Sequence, residues 1–183
     1  MRNTIDSRKL EEIKFLDFIV PDDYNHDFQL LRFKEKHESE FYLFDKLMTD
    51  FDCKNTTYKF VAGKKYRAKI FKPGLDAHGK PFWECLEYLK DTGYFYANAQ
   101  GLSLLYEIDR SFFPPNVHVW SPDELEDCLP KDPRDTVKVP RIKIWDNGQA
   151  EFHTYRFLTG LHNRGYMNIL GFTEREVIHR EPC

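Results

Sequence analysis

The sequence predicts an α+β fold: a curved antiparallel sheet of hairpins, with N-terminal helices and a short middle helix packed on one face. Three observations carry that expectation. Apolar residues recur at helical spacing through the first fifty positions, and the period shortens to two from about Thr57 onward. Turn signals then punctuate the second half, Asn147-Gly148 the strongest of them. A chain of 183 residues suffices for one core, burying about 70% of its unfolded surface, and residues 1–183 read as a single domain.

The first helix is expected from a cap at Asp6 or Ser7 to Pro21, with Leu10, Ile13, Leu16 and Val20 as its stripe. Phe15, Phe18 and Ile19 widen that stripe until its last turn is apolar almost all round. Residues 28–34 fit a strand or a helix equally. From Ser39, Phe41, Phe44, Leu47, Met48 and Phe51 predict a second helix running to about Asp52. Residues 57–62 and 65–71 then read as a hairpin joined through Gly63-Lys64. Pro81 opens a helix carrying Phe82, Trp83, Leu86 and Leu89, closed by Gly93. Residues 94–97 and 103–108 read as strands, and 117–120 as a brief one. Ser121-Pro122-Asp123-Glu124 has the form of a capping box opening an acidic helix that ends near Leu129. A strand over 166–172 and a capped turn at Thr173 to Glu176 complete the pattern.

In element order (helix, helix, hairpin, helix, antiparallel strands) the chain resembles the nuclear-transport-factor-2-like superfamily. That resemblance implies a cone-like sheet wrapped around a pocket. It rests on order alone, so it carries no functional residue over.

Composition narrows the function classes. Sixteen Phe fit a core, but ten Tyr and three Trp carry polar atoms that want a partner, and these residues anchor interfaces. Cys53, Cys85, Cys128 and Cys183 are far apart and match no zinc spacing, so reduced thiols are expected. The first residues lack the apolar core of a signal peptide, and no run approaches a membrane span; a cytoplasmic protein free of membranes is the expectation. Charge is sharply distributed. Residues 53–75 hold Lys54, Lys59, Lys64, Lys65, Arg67, Lys69 and Lys72 with no acid, while residues 76–135 are strongly acidic.

A type I′ turn at Asn147-Gly148 would fix a hairpin register, setting Trp145 opposite Ala150 and Ile142 opposite His153. One face then carries Ile142, Ile144, Glu151, His153, Tyr155 and Phe157. The other carries Arg141, Lys143, Trp145, Phe152, Thr154 and Arg156. On the first, Glu151, His153 and Tyr155 could serve general acid–base chemistry in a pocket, or simply be a hydrogen-bonded core histidine with polar neighbours. On the second, Arg141, Lys143, Trp145 and Arg156, joined by Lys64, Lys65, Arg67 and Lys69 of the earlier hairpin, form a cationic aromatic surface suited to an anionic partner. The ordinary alternative is that these cations cover aromatic rings or pair with acids. Asp123, Glu124, Glu126 and Asp127 form an acidic surface that could imitate a phosphate backbone, or merely be solvated.

Phosphate loops, dinucleotide glycine patterns and nucleophile elbows are absent, and no metal or cofactor is expected. Pro122-Asp123 lacks the acid-x-Lys of a restriction-type nuclease, and His162-Asn163 lacks further ligands. The leading expectation is a non-catalytic protein that binds another protein or a nucleoprotein complex, of the size of a phage or mobile-element accessory inhibitor. A pocket enzyme using Glu151, His153 and Tyr155 competes with it, as does a nucleic-acid binder acting through the basic hairpins.

Overall fold

A computed structural model describes residues 10–45, 56–73, 82–123, 136–158 and 168–175. Within them lie seven strands and three α-helices. In chain order these are β1 (Leu10–Ile19), α1 (Gln29–His37), β2 (Phe41–Phe44), β3 (Lys65–Pro73), α2 (Phe82–Asp91), α3 (Asn98–Ile108), β4 (His118–Trp120), β5 (Thr136–Ile144), β6 (Ala150–Leu158) and β7 (Asn168–Glu174). The strands form one open, mixed sheet ordered β1-β3-β7-β4-β5-β6-β2. β2 runs parallel to β6 and β4 parallel to β7; the other neighbours are antiparallel.

The expected N-terminal helix is a strand. A β-bulge at Ile13 shifts the pairing of β1 on β3, so Leu10 pairs with Pro73 while Lys14 pairs with Ile70. An inserted residue changes which face each side chain takes. Leu10 therefore joins one apolar cluster, and Ile13, Leu16, Phe18 and Val20 join another on the opposite face. The resulting three-residue spacing from Leu10 to Ile13 to Leu16 imitates a helical stripe. The same device acts at β2. A register shift between Phe41 and Leu43 turns Phe41 and Phe44 alike toward the core and leaves Tyr42 outside. Residues 41–44 are thus a strand, and 46–52 of the expected second helix lie outside the described residues.

Two further expectations are corrected. Residues 57–62 form no strand; they turn beneath β3 with Phe60 in the core, and the Gly63–Lys64 turn bonds back to Val20. The strand that β3 pairs with on that side is β1. Residues 98–108 are helical, with Asn98 through Tyr106 all buried. A helix buried on every side shows no amphipathic period, so its apolar run passes for strand. Gly101 is what allows it to lie this close to the sheet. A Cβ there would stand 2.7 Å from the Phe172 ring.

Apolar residues cover both faces of the sheet, where helices on one face alone were expected. On one side α1 and α3 pack Leu30, Phe33, Leu102 and Leu105 against Tyr66, Ile70, Ile142, Phe152 and Phe172. Most of the aromatic excess sits here, and its hydroxyls are satisfied internally: Tyr66 accepts from the Val61 amide, Tyr106 donates to Glu40, and Tyr24 donates to His26. On the other side α2 lays Cys85, Leu86 and Leu89 over Phe71, Trp120, Val139 and Ile169. α2 is the helix the sequence marks best, with Gly93 at φ +91 just beyond its end. Because the first described element is a strand and the sheet is mixed, the element order behind the superfamily resemblance is not the observed one.

Candidate binding face

The β5–β6 hairpin exists, but its turn differs from the expected one by a residue. Trp145 N–H bonds the Gln149 carbonyl and Gly148 N–H the Trp145 carbonyl. Gly148 takes φ +81, whereas Asn147 is not among the positive-φ residues. Asp146, Asn147 and Gly148 thus make a three-residue loop of the type I plus glycine-bulge kind. Ile144 consequently pairs with Ala150, Lys143 with Glu151, Ile142 with Phe152 and Arg141 with His153. A one-residue slip exchanges partners between faces. The two faces expected from the sequence are therefore recombined. Ile142 and Ile144 share the core side with Phe152, while Arg141 and Lys143 share the opposite side with Glu151 and His153.

Cross-strand pairing extends that side into rows. One runs Leu43, Glu151, Lys143, His118 across β2, β6, β5 and β4. The next runs His153, Arg141, Trp120, Ile169, Phe71 from β6 to β3. His118 and Trp120, two apart on β4, were not singled out in the sequence. Their alternation around Val119 is the signal that places both on one face.

His153 is held at both ring nitrogens. Arg141 Nε donates to Nε2 at 2.7 Å, and Nδ1 donates to the Thr154 carbonyl at 3.1 Å. These bonds define a neutral Nδ1–H imidazole whose Nε2 lone pair is already used. Burial, then the Arg141 charge, depresses its pKa in agreement. Glu151 Oε2 leans to the same side, 3.6 Å from His153 and 3.8 Å from Arg141. The Arg141 guanidinium also lies 5.1 Å over the Trp120 ring. Tyr155 occupies the register position opposite Val139, and Arg156 that opposite Lys138.

Lys143 is bound differently. Although only 8% exposed, it has no carboxylate within ion-pair distance among the described residues; its ammonium lies 3.1 Å from the centroid of the Trp145 ring. Its cross-strand neighbour His118 has Nδ1 buried without a hydrogen-bond partner, and burial, then Arg141 and Lys143, pushes its pKa down to about 4. Trp145, against Lys143, is 37% exposed, and at the β2 end of the row Leu43 and its chain neighbour Tyr42 are exposed at 44% and 77%.

The β3 cations meet acids instead. Lys64 bonds Glu174 at 2.5 Å, Arg67 clasps Asp17 through two bonds of 2.6 Å, and Lys69 reaches Glu12 at 2.6 Å. Arg67 also stacks on Phe15 and Lys69 lies over Tyr94. Lys65 is exposed at the head of β3. The acids come from β1 and β7, so the stretch that is basic in sequence is largely neutralised in space. Asp123 is not on the surface: it is buried, and its Oδ1 accepts from the Thr57 amide. Glu124, Glu126 and Asp127 lie outside the described residues. Among those residues no group of three His, Cys, Asp or Glu side chains could hold a metal ion, and no helix is long and apolar enough to cross a membrane. Cys85 is buried and in no disulfide; the other three cysteines lie outside the described residues.

No protein family, curated protein or solved structure matches this chain.

Proposed function

We propose that this protein is a non-catalytic recognition protein that engages another macromolecule at the corner where β2 meets the β5–β6 hairpin. The observation that carries the reading is Lys143, a side chain 8% exposed whose ammonium lies over Trp145 with no carboxylate in ion-pair reach among the described residues, on a row that ends beyond Glu151 at exposed Leu43. Burying a cation without a counter-charge costs stability, so stability alone does not account for it. Aromatic anchors beside a desolvated charge are the usual makings of a binding hot spot.

Two observations weigh against the competing readings. An acid–base role for Glu151, His153 and Tyr155 would need a histidine nitrogen open to substrate, and both nitrogens of His153 are engaged. A nucleic-acid track along β3 would need cations free to meet phosphates, and Lys64, Arg67 and Lys69 already hold carboxylates.

The test is site-specific photo-crosslinking in the source cell. A photoreactive amino acid at Tyr42 is expected to yield one predominant adduct, which disappears with Trp145→Ala. The same probe at Phe28, exposed on α1, is the control and is expected to yield none. Equal adducts from both positions, or none from Tyr42, would overturn the proposal.

A further inference from the structure

We propose that the occupant of this corner is a protein segment in which one acidic side chain stands among apolar ones, its carboxylate seated on Lys143. The inference rests on the reading above and adds the chemistry of the partner. Three features of the corner select it.

The first is the charge left over. Glu151 is the carboxylate nearest by pairing, yet its Oε2 turns to His153 and Arg141 and makes no ion pair with Lys143. The ammonium is instead covered by an indole ring, which offers attraction but no hydrogen-bond acceptor of full strength. A carboxylate would complete it, and His118 stands alongside with an unused ring nitrogen. A bound anion would oppose the depression of the His118 pKa, so binding is expected to draw a proton onto that ring as pH falls.

The second is the border. Trp145 lies against this charge, and exposed Leu43 stands on the same row beyond Glu151, with exposed Tyr42 next to it in the chain. Together they match apolar side chains flanking an acid better than a sugar–phosphate chain.

The third is how little free positive charge the described residues show beyond the corner. A nucleic-acid backbone carries a charge every few ångströms and is tracked by runs of free cations. The next basic stretch, on β3, is committed to Asp17, Glu12 and Glu174. One isolated ammonium suits one carboxylate.

The experiment is selection of random seven-residue peptides on the full chain, repeated on Lys143→Glu and Lys143→Met. The wild type is expected to enrich an Asp or Glu flanked by apolar residues. Lys143→Met is expected to lose the acidic preference while keeping the apolar one, and Lys143→Glu to select Lys or Arg at the same position. Thermal melts of each variant confirm folding, and Lys143→Met suffices where Lys143→Glu does not fold. Tryptophan fluorescence with a selected peptide is expected to show at least tenfold tighter binding than with its Glu→Gln counterpart, the ratio falling to within twofold in Lys143→Met.

Absence of acidic enrichment, an acidic preference that survives Lys143→Met, or a dodecamer of thymidylate bound more tightly than the selected peptides would each overturn the inference. A corner that still crosslinks through Tyr42 but shows no acidic preference would remove only the carboxylate chemistry. Loss of the crosslink would remove the reading beneath it.

Discussion

Along β3 and the turn before it, Lys64, Arg67 and Lys69 each hold a carboxylate at 2.5–2.6 Å, supplied by β1 or β7 across the sheet. On β5, Arg141 and Lys143 lie over indole rings, and the Glu151 carboxylate is 3.8 Å from Arg141. Both stretches look alike as sequence, with bases alternating with apolar residues. In space the first is more exposed and balanced by carboxylates, while the second is more buried and leaves Lys143 without an ion pair among the described residues. Exposed ion pairs add little stability, and buried charges cost much unless paired. The balanced stretch therefore serves solubility and strand pairing, and the unbalanced one is where a ligand would gain most by arriving.

That contrast is easiest to break at its arginines. Arg141→Ala strands Glu151 and His153 without their guanidinium, and a loss of about 3 kcal/mol in urea unfolding is expected. Arg67→Ala, with its partner Asp17 in solvent reach, is expected to leave the midpoint little changed. Equal losses from the two would show that burial does not distinguish the clusters.

Protonation sharpens the comparison next. The folded His118 has a pKa near 4, below the usual 6.5 of the unfolded chain. Between those values the unfolded state takes up a proton that the folded state refuses, so stability climbs as pH rises through the window and is lost as pH falls. Allowing for its partial exposure, the swing is about 2 kcal/mol. Melts of wild type and His118→Gln at pH 4.5 and 7 are expected to differ by that amount, the variant showing the flatter profile.

A smaller effect of opposite sign is expected at Lys143. Replacing the ammonium by the similarly sized Lys143→Met removes a buried charge, and stability is expected to hold or rise by up to about 1 kcal/mol. A clear loss would mean that the cation stabilises the fold and has no need of a ligand. Smallest of all is Lys64→Gln, at a half-exposed ion pair, for which unfolding curves are expected to superimpose.

Local turn and cap chemistry was the legible part of this fold. Pro81 and Gly93 bracket α2, and Asn147-Gly148 marks the hairpin. The dipeptide does not distinguish a two-residue loop from a three-residue one, since both place Gly148 at positive φ. That single residue decided which side chains share the candidate site. Bulges at Ile13 and between Phe41 and Leu43 hid β1 and β2 behind helical spacing. Once β1 was read as a helix, Glu12 and Asp17 could not be seen as partners for β3, roughly fifty residues away. His118 and Trp120 join Arg141 and Lys143 only through β4–β5 pairing, which no local pattern announces.

The strand order has a further consequence for how the protein is made. β7 is the last in sequence of the described strands, yet it lies between β3 and β4 and joins the β1–β3 pair to the remaining four strands. A nascent chain releases both edges, β1 and β2, well before it. Those edges have no continuous sheet to close until residues 168–174 leave the ribosome. Non-local pairing of this kind folds slowly and leaves strand edges open in the meantime. A stop codon between β6 and β7 would thus yield two unjoined half-sheets with their aromatic faces bare, a substrate for chaperones and proteases.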